Sequence, residues 1–240
     1  MVYFSLITMK RGLMDAEAVV FDYDGTLVHL NINFSVMREG VEKALADHGV
    51  NPDAYKGLLI LEMIDEVRKL ISERNPLEGR SFYRKALDLV TEHEVTAAKR
   101  GRVLLGAVDT LRLLKKRGIK VGIITRNCSK AVKIVFPNIE SLCDVFLPRD
   151  SVTRVKPHPD HLTLVLKTIA INRPARCLMV GDHIIDIEGG RRMGMKTAGV
   201  LTGKATYQEF MEAGADFIVE DVTRIPDCIC QEQERWARIY

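Results

Sequence analysis

The sequence predicts an α/β protein, a doubly wound parallel sheet with a small α-helical domain inserted near its start. Three observations carry this. Short aliphatic runs alternate with amphipathic stretches along most of the chain. The runs are continuous rather than alternating apolar and polar, as strands covered on both faces should be. Residues 32–103 interrupt the rhythm with three helical patterns in a row and no strand candidate.

Taken in order, the first strand is "AVVF" at 18–21, ending in "DYDGT". The insert follows, with helices expected near 34–48, 54–73 and 80–97. Ile60, Ile64, Val67 and Ile71 form one apolar stripe in it, and Tyr83, Ala86, Leu87 and Val90 another. "NPLEG" at 75–79 punctuates the last two helices. About seventy helical residues are too many for one crossover. The expected organisation is therefore a Rossmann-like core from residues 1–31 and 104–240, with a helical domain at 32–103.

The core resumes with "GAVDTLRLLKKRG" at 106–118. Its Lys-Lys-Arg-Gly ending supplies the cations and the glycine expected at a helix C-terminus. "KVGIIT" (120–125), "CLMVG" (177–181) and "TAGVL" (197–201) read as strands, with shorter ones at "DVF" (144–146) and "DFIV" (216–219). Helices are expected at 158–171 and 184–194.

Bulk properties exclude several classes. The 240 residues are 47% hydrophobic and 28% charged, ordinary for a soluble globular protein. A net charge of +3, with scattered basic residues, does not fit a nucleic-acid partner. No window reaches the ~18 apolar residues of a membrane span. The N-terminal "MVYFSLITMKRGLM" puts its charge after a short apolar run, the reverse of a secretory signal. It reads as an extension or an early start site, with Met9 and Met14 as alternative starts. The five widely spaced cysteines suit a reducing cytosol rather than a disulfide framework. Cys228 and Cys230 lack the second pair or the histidines that a zinc site needs.

In open parallel sheets, ligands bind beyond the C-terminal strand ends. Asp22 and Asp24 follow the first strand. Thr125, Arg126 and Asn127 follow the second, and Asp182 follows "CLMVG" with Asp186 four residues on. A further loop carries Lys156 before Pro157. One aspartate after a strand is most often a helix N-cap. Three strand ends with this pattern, joined by a lysine loop, are hard to explain by capping. Asp22, Asp24 and Asp182 would converge and repel by roughly 4 kcal/mol per pair at about 4 Å. Lys156 supplies one positive charge, and an all-oxygen set suits Mg2+ for the rest. His29, His158, His161 and His183 read as surface or capping residues.

"DYDGTL" (22–27), "IITRN" (123–127), "KPHPD" (156–160) and "GDHIID" (181–186) together resemble the four motifs of the haloacid-dehalogenase-like hydrolases. The resemblance runs from about residue 16 to about residue 222, with the motifs in order on the expected strand ends. The helical insert resembles the cap of subfamily I. "GVLTG" (199–203) and "AGADFIVED" (213–221) resemble the tail of the phosphoglycolate-phosphatase-like branch.

The resemblance implies a Mg2+-dependent phosphatase acting on a small phosphorylated metabolite. Asp22 would be the nucleophile and Asp24 the acid–base. Thr125, Lys156 and the backbone N–H groups of Arg126 and Asn127 would bind the phosphoryl group. Asp22, Asp182 and the carbonyl of Asp24 would hold the ion, and Asp186 would orient Asp182 or a water beside it. An acid at position 24 separates phosphatases and phosphomutases from the dehalogenase branch, which displaces halide and needs no protonated leaving group. Arg126 adds a charge to substrate binding or faces solvent. The alternatives are a sugar phosphomutase or a non-catalytic binding protein on the same scaffold. Specificity is expected from the cap and from "VHLNINF" (28–34), with Arg74, Arg80 and Arg84 as candidate readers of an anionic substrate end.

Overall fold

The computed structural model of the chain describes residues 8–9 and 13–230. Two compact units are distinguished, residues 31–100 and the remainder of the chain.

The larger unit is a twisted parallel sheet. In chain order its strands are β1 (Ala18–Phe21), β2 (Lys120–Ile124), β3 (Val145–Leu147), β4 (Cys177–Gly181), β5 (Lys196–Val200) and β6 (Phe217–Val219). The spatial order is β6-β5-β4-β1-β2-β3, all parallel. A short strand, Thr8–Met9, lies antiparallel on the β6 edge. β1, β2 and β4 are buried almost throughout, which explains their unbroken aliphatic runs. Phe21 is level with Ile123 on one side and Val180 on the other. The three ends therefore finish together, and the strand order reverses at β1. That reversal is where an open α/β sheet leaves a crevice for ligands.

The smaller unit contains α1 (Phe34–Ala46), α2 (Ile60–Arg74) and α3 (Pro76–Ala98) around one apolar core. Residues of all three, such as Leu45, Ile64 and Phe82, are fully buried in it. α2 starts at residue 60, not near 54. Asn51 accepts the Asp53 N–H and turns Pro52–Tyr55 into a separate 3-10 element. α3 starts at Pro76, inside the stretch read as punctuation. Asn75 caps it by accepting the Leu77 and Glu78 N–H groups, and proline suits the first helical position. Its buried stripe is Phe82, Ala86 and Val90, with Tyr83 and Leu87 only half-buried.

The remaining helices belong to the larger unit: α4 (Ala107–Lys116), α5 (Ser129–Val135), α6 (Pro159–Thr168), α7 (Ile184–Arg192), α8 (Tyr207–Ala213) and the single turn α9 (Ile225–Cys228). The expectation of no strand in 32–103 fails at its end, where Arg102–Val103 pairs antiparallel with Val28–His29. Two further residues, Leu13–Met14, pair with Ile229–Cys230. Among the described residues, no helix is long and apolar enough to cross a membrane. Much of the N-terminal extension, and the side chain of Cys230, lie outside the described residues. Cys228 is a buried thiol whose Sγ donates to the Arg224 carbonyl (3.7 Å).

Candidate active site

β1 ends at Phe21, and the Asp22 N–H still donates to the Val180 carbonyl of β4 (2.8 Å). This last sheet bond holds the Asp22 carboxylate at the switch point. The chain turns at once. Gly25 has φ +82°, and a Cβ there would also collide with the Asp182 carboxylate. Two more glycines crowd the same group of acids. A Cβ on Gly203 would strike Asp182, and one on Gly181 would strike Asp186.

The carboxylates of Asp22, Asp182 and Asp186 are all buried, with one oxygen of each within 4.8 Å of the others. Lys156 is buried among them. Its Nζ donates to an Asp22 oxygen and to Asp186 Oδ1 (2.6 Å). Asp186 spends its second oxygen on the His183 N–H (3.2 Å), and Asp182 Oδ2 accepts the Lys204 N–H (3.1 Å). The Lys156 ammonium thus bridges two of the three acids, Asp22 and Asp186. Burial, and then the neighbouring acids, push the Asp182 carboxyl up, and burial raises that of Asp186. Burial lowers the Lys156 pKa, but the carboxylates of Asp186 and Asp22 outweigh it and hold the pKa of the ammonium above its ordinary value. Each pair of acids at about 4.8 Å repels by about 3.5 kcal/mol at an effective dielectric of 20. An oxygen-only set short of positive charge fits a hard divalent cation such as Mg2+.

Asp24 lies within electrostatic reach of Asp22 and Lys156. Its Oδ1 accepts the Leu30 N–H (2.9 Å), and burial pushes its carboxyl up to about 7. Tyr23, between the two aspartates, is fully buried and donates to the Val132 carbonyl (3.2 Å). Thr125 at the β2 end is buried, and its Oγ1 accepts the Asn127 N–H (3.1 Å). Arg126 is half-buried and its guanidinium donates to the Lys156 carbonyl (2.5 Å), a main-chain contact not weighed from sequence.

The histidines divide. His158 and His183 cap α6 and α7, accepting the Asp160 and Ile185 N–H groups (3.2 Å each). His161 is a correction. It is fully buried, neither surface nor cap, because the Lys156 loop and the β3 end supply partners for both ring nitrogens. Sequence reading also missed the loop after β5. Thr202 Oγ1 donates to the Gly25 carbonyl (2.6 Å), and the Ala205 N–H to the Asp182 carbonyl (3.0 Å). The glycine of "GVLTG" was its one visible signal.

Fold and site define an α/β enzyme core with an aspartate–lysine centre at the switch point of its sheet. The chain belongs to the haloacid dehalogenase-like hydrolases, whose family profile matches residues 16–194. It is 30% identical over 224 residues to the pyrophosphatase PpaX of Bacillus cereus, covering 88% of this chain and 94% of that one. Its fold is shared with a hydrolase from Pseudomonas syringae (TM-score 0.61, 23% identity, 88% of this chain and 96% of that one). A predicted phosphoglycolate phosphatase from Haemophilus somnus has the same fold (TM-score 0.58, 19% identity, 90% and 99%).

Proposed function

We propose that the protein is a Mg2+-dependent phosphatase that hydrolyses a small phosphorylated metabolite through an aspartyl-phosphate on Asp22. The observation that carries the reading is the buried set of Asp22, Asp182 and Asp186 around a single lysine, at the strand-order reversal. A buried charge set of this kind is a poor device for stability. Its placement in the crevice of the sheet favours chemistry.

Asp22 attacks phosphorus while the bond to the leaving oxygen breaks, and Asp24 delivers the proton that oxygen takes. Asp24 then removes a proton from water, and that water cleaves the aspartyl-phosphate to free phosphate. Thr125, the backbone N–H groups at Arg126 and Asn127, and the Lys156 ammonium hold the phosphoryl oxygens in both displacements. Asp22, Asp182 and the Asp24 carbonyl are the residues that would hold Mg2+, with Asp186 orienting them. When bound, the ion supplies positive charge against the phosphoryl oxygens. The inserted helical domain is read as a cap that sets specificity. The resemblance of the tail to the phosphoglycolate-phosphatase-like branch and the relative named a pyrophosphatase support testing phosphoglycolate and pyrophosphate first.

The test uses p-nitrophenyl phosphate with and without Mg2+, on the native chain and on Asp22→Asn. The native protein should turn over only with Mg2+. The variant should fall by at least about a thousandfold, because its amide is no nucleophile. Equal turnover by the two would sink the reading. A panel of phosphorylated metabolites and pyrophosphate, ranked by kcat/KM, then fixes the substrate.

A further inference from the structure

We propose that Arg126 and His161 are positioning residues that clamp the Lys156 backbone and tie it to Thr125 in one closed hydrogen-bond circuit. The inference rests on the reading of Thr125 and Lys156 as phosphoryl-binding groups.

The Lys156 peptide is held on both sides. Its N–H donates to His161 Nδ1 (3.3 Å), and its carbonyl accepts Arg126 Nη1 (2.5 Å). Accepting at Nδ1 places the ring proton on Nε2, which donates to the Leu147 carbonyl at the end of β3 (2.9 Å). The same carbonyl accepts the Thr125 N–H (3.2 Å). Thr125 is covalently next to Arg126, so the path Thr125–Leu147–His161–Lys156–Arg126 returns to its start. Arg149 braces the closing corner. Its Nη1 donates to the Arg126 carbonyl (3.2 Å), and its N–H to that of Asn127 (3.0 Å).

The circuit joins three chain segments, at 125–126, 147 and 156–161. What it fixes is the separation of two groups that must grip one phosphoryl group. A lysine side chain has four rotatable bonds, so its ammonium is only as well placed as its backbone. Burial of His161 supports the same reading. Both ring nitrogens are satisfied only by the neutral imidazole, and burial pushes its pKa down to about 4. Arg126 therefore acts through Lys156, and its charge is not what the reaction needs.

The experiment compares Arg126→Met, Arg126→Lys, His161→Leu and His161→Asn in the full chain, with p-nitrophenyl phosphate and Mg2+. Arg126→Met should lower kcat by about 10- to 100-fold, the cost of a misplaced reacting group, with KM within about twofold. Arg126→Lys should restore most of kcat, because one N–H can reach the carbonyl. His161→Asn keeps an acceptor for the Lys156 N–H and should lose less than His161→Leu. A raised KM with unchanged kcat in Arg126→Met would instead make Arg126 a substrate reader and overturn the proposal. Hydrogen exchange provides a readout independent of turnover. Arg126→Met should speed exchange in peptides covering both 123–128 and 154–162. Faster exchange confined to the first would overturn the circuit. Native protein that turns over no phosphate compound would reject the phosphatase reading, while the exchange result still decides the circuit.

Discussion

The two units of this chain bury different things. The helical unit, residues 31–100, packs apolar side chains from three helices into one core, and its one buried charged residue among those described is Glu94. The sheet unit buries Asp22, Lys156, Asp182 and Asp186 together, with His161 beside them. Apolar burial stabilises by about 1.5–3 kcal/mol per large side chain. Burial of charge is at best neutral unless every partner is present. The helical unit is therefore arranged as stability requires, and the sheet unit gives up stability at its strand ends. The difference is what supports the proposal that those ends are the working part of the molecule.

The comparison is broken most sharply at Lys156. Lys156→Met leaves the Asp22 and Asp186 carboxylates buried without their cation. We expect a loss of about 3–5 kcal/mol in urea unfolding of the metal-free protein, together with loss of turnover. Converting both acids to asparagine in the same chain should return most of the stability and none of the turnover. An unchanged unfolding midpoint in Lys156→Met would mean the charges are not coupled, and the contrast between the units would fall.

A smaller effect follows from His161. Its folded pKa of about 4 lies below the unfolded value of 6.5. The unfolded chain therefore binds its proton first as pH falls. The stability from burying the neutral ring is complete above about pH 6.5 and drains away toward pH 4. Lys156, Asp22 and Arg126 are the charged groups that face it. By pH 5 the native protein should lose about 2 kcal/mol that His161→Asn, which cannot titrate, does not lose. For a chain of this size that is a difference of about 4–8 °C in Tm. Parallel Tm profiles for the two proteins between pH 7.5 and 5 would remove His161 from the buried charge network.

These residues also show where the sequence was legible. β1, β2, β4 and β5 stood out because strands covered on both faces are unbroken aliphatic runs. The strand-end rule then led to Asp22, Thr125 and Asp182 without any contact being known. Lys156 was visible as a lysine loop, and the structure draws it among the acids. Asp24 was expected to converge with Asp22 and Asp182; it lies within electrostatic reach of Asp22 and Lys156, and one of its oxygens takes the Leu30 N–H. Hidden from sequence were His161, Arg126 as a backbone clamp, and the loop of Thr202 and Gly203. His161, Arg126 and Thr202 act on main-chain groups and Gly203 on the Asp182 carboxylate, and such partners leave no residue-type signature. The starts of α2 and α3 were missed for a related reason. Asn51 and Asn75 are both turn formers and caps, and only the chain direction after them separates the two.

The helical unit supplies the mildest test. Ile64 is fully buried in its core, on the α2 stripe that the apolar spacing predicts. Ile64→Val removes one methylene and leaves a small cavity, so the expected loss is about 0.5–1.5 kcal/mol in urea unfolding. No hydrogen bond or ion pair is lost, because the side chain has no polar atom. Turnover of p-nitrophenyl phosphate should stay within about twofold of native, since the buried charges of the sheet unit keep every partner. A fall in kcat as large as that of Arg126→Met, from a change of one methylene, would mean that the helical core is tuned for the reaction and not only for its own stability. The separation drawn between the two units would then be wrong at the unit whose buried core is the more apolar.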